Sequence, residues 1–155
     1  MTCNTVQDSS NATCLKAYYD VDKNFSASSI NAFKWDNLGK KEYRDVYDYY
    51  KGLISFRKAH PALRMVSGSQ IDSSVKFLSG TSDNVIAYTI DGKSSGDSAQ
   101  QILVIFNPNQ KAESVSLPSG DWRVCINKEA AGTKTLSTAS GNISVEPVSC
   151  TVLVK

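Results

Sequence analysis

The sequence predicts a mainly β protein: an antiparallel β-sandwich preceded by one long α-helix and a poorly structured N-terminal segment. Three observations lead there. From about Val66 to Lys155, short runs rich in β-branched and aromatic residues follow one another, separated by turn signals such as Ser79-Gly80, Asp91-Gly92, Asn107-Pro108-Asn109 and Ser140-Gly141-Asn142. One residue in five is Ser or Thr, more than a helix-rich chain carries. Apolar residues recur at sustained helical spacing in one stretch, near Arg44–Ala59. The length of 155 residues suits one domain with a short attached piece.

Taken in order, residues 1–29 are rich in Ser, Thr, Asn and Asp, hold no period and read as loop or disorder. Residues 30–65 carry the helix, expected over about 44–59. Tyr43, Val46, Tyr47, Tyr50, Leu53, Ile54 and Arg57 fall three and four residues apart and so share a face. Tyr49 and Phe56 add an apolar flank, and a helix apolar over that much of its circumference is packed on two sides. Asp45 and Asp48 near its start, with Arg57 and Lys58 near its end, suit the helix dipole. Pro61 stops the helix and turns His60 toward an extended backbone.

Residues 66–155 form the sandwich, with strands expected at 74–78, 85–90, 101–106, 113–117, 122–126, 143–145 and 150–154. Ile102-Leu103-Val104-Ile105-Phe106 does not alternate and reads as a central strand covered on both faces. Trp122-Arg123-Val124-Cys125-Ile126 does alternate, so Trp122, Val124 and Ile126 are expected to face one core. Short strands at this spacing without intervening helices describe a sandwich.

Composition excludes several functions. A net charge of +2 and a pI near 8.3 give no electrostatic footprint for nucleic acid or an anionic membrane. The longest apolar run, Ile102–Phe106, is far short of the ~20 residues of a membrane helix. Met1-Thr2-Cys3-Asn4 has neither a basic start nor a following apolar stretch, so no leader is expected there. Cys3, Cys14, Cys125 and Cys150 lack zinc spacing, and a single histidine cannot complete a ligand set. Cys125 and Cys150 read as small buried hydrophobes in strands, with a disulfide between them left open; Cys3 and Cys14 pair only in an oxidising compartment.

Chemistry is sparse. His60, the one imidazole, sits at a helix end, where bonding to backbone carbonyls is the simple expectation. The acidic residues of the sandwich lie in or beside turns, without the rigidly held carboxylate pair that glycoside hydrolysis requires. No glycine-rich phosphate loop exists. Trp35 is the one weak candidate for stacking on a sugar; Trp122 reads as core, and Tyr88 completes the aromatics worth weighing. No catalytic, cofactor or metal residue is expected.

The second zone says more. Ile30-Asn31-Ala32-Phe33-Lys34-Trp35, Asp45-Val46-Tyr47-Asp48-Tyr49-Tyr50 and Phe56-Arg57-Lys58-Ala59-His60-Pro61-Ala62-Leu63-Arg64 resemble the junction in type I pullulanases of the α-amylase superfamily. Val85-Ile86-Ala87-Tyr88, the Phe106-Asn107-Pro108-Asn109 strand ending, Leu117-Pro118-x-Gly120-x-Trp122 and Ala131-Gly132-Thr133 follow in the family's order. The resemblance implies that the helix is the last one of a catalytic (β/α)8 barrel and that the sandwich is the domain C after it. It also implies a parent enzyme that hydrolyses α-1,6 branch linkages of starch and glycogen, in the cytoplasm or outside the cell. No segment matches the family's catalytic strands, so no catalytic residue carries over. The expectation is a non-catalytic sandwich that covers and stabilises the barrel; the alternative is a free-standing α-glucan-binding module. The expected partners are the remainder of such an enzyme, or a second copy of the chain, held through Tyr43, Val46, Tyr47, Tyr50, Leu53 and Ile54. α-Glucan is expected to bind weakly at most.

Overall fold

The computed structural model describes residues 34–155. The expectations for residues 1–29, with Cys3 and Cys14, lie outside the described residues. The chain divides into two units, 1–40 and 41–155. In the first, Trp35–Gly39 form a 3-10 turn, and Trp35 is 67% exposed.

The second unit opens with helix α1, Lys41–Ala59, three residues earlier than its apolar pattern announces. The added turn is polar and carries its own i,i+4 pair, Lys41 with Asp45. After α1 come a 3-10 turn at Pro61–Arg64, helix α2 at Gly68–Ser74 and eight strands. These are β1 Val75–Phe77, β2 Ile86–Asp91, β3 Gln101–Asn107, β4 Glu113–Ser116, β5 Trp122–Ile126, β6 Ser137–Ala139, β7 Asn142–Val145 and β8 Ser149–Val154. Pairing is antiparallel throughout: β1-β2-β3-β8-β5-β6 form one sheet and β4-β7 a second.

The larger sheet is covered on both faces. One face packs on the small sheet, burying Ala87, Leu103, Ile105, Trp122, Val124 and Leu153 against Val115 and Val145. The other packs under α1 and the turn after it, burying Ile90, Ile102, Val104, Val152 and Val154 with Phe56 and Ala62. The central strand β3 therefore has apolar residues on both sides, which is why its sequence does not alternate.

Three features depart from the sequence expectations. The register of β5 on β8 slips between Val124 and Ile126. This bulge adds a residue, so Ile126 joins Cys125 in the helix-side core instead of following Trp122 and Val124. Helix α2 precedes β1 and takes Ser74 from the expected strand at 74–78; Gly68, Asp72 and three serines carry little helix propensity and hide it. Strand β6 is a short polar edge, Ser-Thr-Ala, paired only with β5, so it needs no apolar pattern.

Candidate functional site

Helix α1 is the element that organises the surface. Tyr49, Leu53 and Phe56, spaced four and three apart, turn to the sandwich; Phe56 is buried and the other two are half-buried. The Tyr49 hydroxyl donates to the Asn127 carbonyl at 2.8 Å. One turn on, Gly52 lies so close to the Ala131 carbonyl that a Cβ would stand 1.9 Å from its oxygen. Asn127 shapes that loop: its Oδ1 accepts the N–H groups of Glu129 and Ala130 at 3.0 and 2.9 Å. The Ala131-Gly132-Thr133 segment is thus the seat on which the helix rests.

At the C-terminal end, α1 is locked by a carboxylate. His60 is extended before Pro61, as proline requires, and its ring lies 4.3 Å from that of Phe56. Its Nδ1 is 2.9 Å from Oδ1 of Asp97, whose side chain has no exposure. The same Oδ1 accepts the Ala99 N–H at 2.9 Å, and Oδ2 accepts the Ala62 N–H at 3.1 Å. Burial by itself would push the Asp97 carboxyl up; the Ala99 N–H, His60 and the Ala62 N–H outweigh it and hold the carboxyl below the ordinary carboxylate range. The expectation of backbone carbonyls around His60 is replaced by this carboxylate, which the sequence places 37 residues away.

Among the described residues, the outer side of α1 is apolar and largely exposed. Tyr43, Val46, Tyr47, Tyr50 and Ile54 are 48, 57, 42, 64 and 59% exposed. Leu53, expected on this face, is instead packed against the sandwich core. The helix therefore has the two apolar sides that its sequence announces, divided between Tyr49-Leu53-Phe56 and Val46-Tyr50-Ile54.

The remaining sequence-selected residues serve the core. Trp122 is fully buried and its Nε1 donates to the Pro118 carbonyl at 2.8 Å. Cys125 and Cys150 are free thiols. Burial pushes both upward, Cys150 to about 11, which keeps them protonated and unreactive. A polar groove lies between Ser82-Asp83-Asn84 and Asn109–Glu113. Its polar groups bond one another: Asn109 Nδ2 donates to the Asp83 carbonyl and to Glu113 Oε1, and Asn84 Nδ2 donates to Asn109 Oδ1. The sequence missed a row of rings across β1, β2 and β3: Phe77 and Tyr88 are 5.6 Å apart, Tyr88 and Phe106 6.5 Å. The cross-strand register that brings them together is not written in any one strand.

These features define an all-β sandwich domain with a long helix built into the core of its larger sheet. Residues 71–130 match the family described as Pullulanase, all-beta domain. The chain is 31% identical over 94 residues to the pullulanase of Bacillus subtilis (strain 168), covering 61% of this chain and 13% of that protein. It is 35% identical over 112 residues to an isoamylase of Flavobacterium sp, covering 59% of this chain and 14% of that protein. The solved structure of the pullulanase from Bacillus acidopullulyticus superposes with a TM-score of 0.75 at 32% identity, over 82% of this chain and 15% of that one. The Bacillus subtilis str. 168 type I pullulanase complexed with maltose gives 0.68 at 26%, over 83% and 18%. Sequence and fold together place the chain with the C-terminal region of pullulanases. It spans about one seventh of the length of these curated relatives.

Proposed function

We propose that this chain is the non-catalytic C-terminal sandwich of a pullulanase-like debranching enzyme, a hydrolase of α-1,6 glucan linkages when whole, and that it covers and stabilises the catalytic barrel. In this reading residues 30–65 close the barrel and residues 66–155 form its domain C. The observation that carries it is the division of α1: Tyr49, Leu53 and Phe56 pack on the sandwich, while Val46, Tyr50 and Ile54 stay more than half exposed. A helix with two apolar sides belongs to two cores, and burying the outer side chains contributes ~1.5–3 kcal/mol each. When the barrel is missing, the same face pairs two copies of the chain across a two-fold axis, and light scattering reads a dimer that Y50E/I54E dissociates. The test of the non-catalytic role is reducing-sugar release from pullulan by the chain alone. The expected rate equals the buffer blank; hydrolysis above it by protein free of other glycosidases overturns the reading.

A further inference from the structure

We draw no further inference here: the strongest candidate, the polar groove between Ser82-Asp83-Asn84 and Asn109–Glu113, carries nothing, because its Asn84, Asn109 and Glu113 side chains bond within the groove itself and no buried side-chain polar atom among the described residues is left without a partner to point to a ligand.

Discussion

Gly52 in the middle of α1 faces the Ala131 carbonyl with no room for a side chain: a Cβ there would stand 1.9 Å from the oxygen and 2.5 Å from the carbonyl carbon. The helix and the loop after β5 are seated on each other backbone to backbone. That contact makes α1 part of the sandwich's own core, even though, among the described residues, its outer face remains apolar and largely exposed. An alanine ordinarily favours a helix over glycine by ~1 kcal/mol. Here the neighbouring atoms are backbone, so the clash, of the order of 1–3 kcal/mol, dominates. G52A is therefore expected to lower stability in urea unfolding, with the Tyr49 hydroxyl losing its bond to the Asn127 carbonyl as the helix lifts.

Asn107 fastens the two sheets. It is 1% exposed, and its Nδ2 lies 2.9, 3.0 and 3.0 Å from the carbonyls of Lys111, Val145 and Glu146. Its Oδ1 accepts the Asn109 N–H at 3.0 Å. N107A leaves these buried groups without partners, so a loss of about 3 kcal/mol is expected from chemical denaturation. N107D places a carboxylate against carbonyl oxygens and is expected to lose more.

Asp97 makes stability fall in acid. Its folded carboxyl is held below the ordinary range, so the stability it contributes is fully present above the unfolded value of ~3.9. It is lost as pH falls from there through the folded value, because the protonated acid no longer holds His60 and the two N–H groups as strongly. D97N cannot titrate and leaves one N–H facing an amide, a loss of about 2 kcal/mol near neutrality. Melting curves between pH 7 and pH 2 are expected to show the gap between the two proteins narrowing below about pH 4.

Cys125 and Cys150 are expected to stay silent toward a thiol reagent at pH 8 in the folded chain. Burial raises both, Cys150 to about 11, so the thiolate that reacts is scarce. Labelling followed by mass spectrometry should show modification of both only after unfolding in urea.

Much of this fold was legible because burial writes itself into apolar spacing. Ile102–Phe106 announced a strand covered on both sides, and the wide apolar circumference of α1 announced a helix with two apolar sides. Spacing could not say which side met which neighbour, and Leu53 went to the sandwich while Tyr50 and Ile54 stayed outside. The bulge at β5 was hidden because one added residue leaves no mark in an alternating run, yet it moves Ile126 to the other core. The His60–Asp97 lock and the Phe77–Tyr88–Phe106 row were hidden for a different reason. Both depend on register between segments far apart in the chain, and register is a property of the folded sheet. The motifs did carry physical content: the Asn in Phe106-Asn107-Pro108-Asn109 ties the sheets, and Ala131 in Ala131-Gly132-Thr133 seats the helix.

The most direct measurement is the thermal unfolding of the catalytic portion of the Bacillus acidopullulyticus pullulanase, with and without this chain. A domain that binds only the folded barrel must raise its melting temperature by mass action. The account predicts a rise of several degrees that saturates with added chain and disappears with Y50E/I54E. An unchanged melting temperature, or a rise that Y50E/I54E preserves in full, would contradict it.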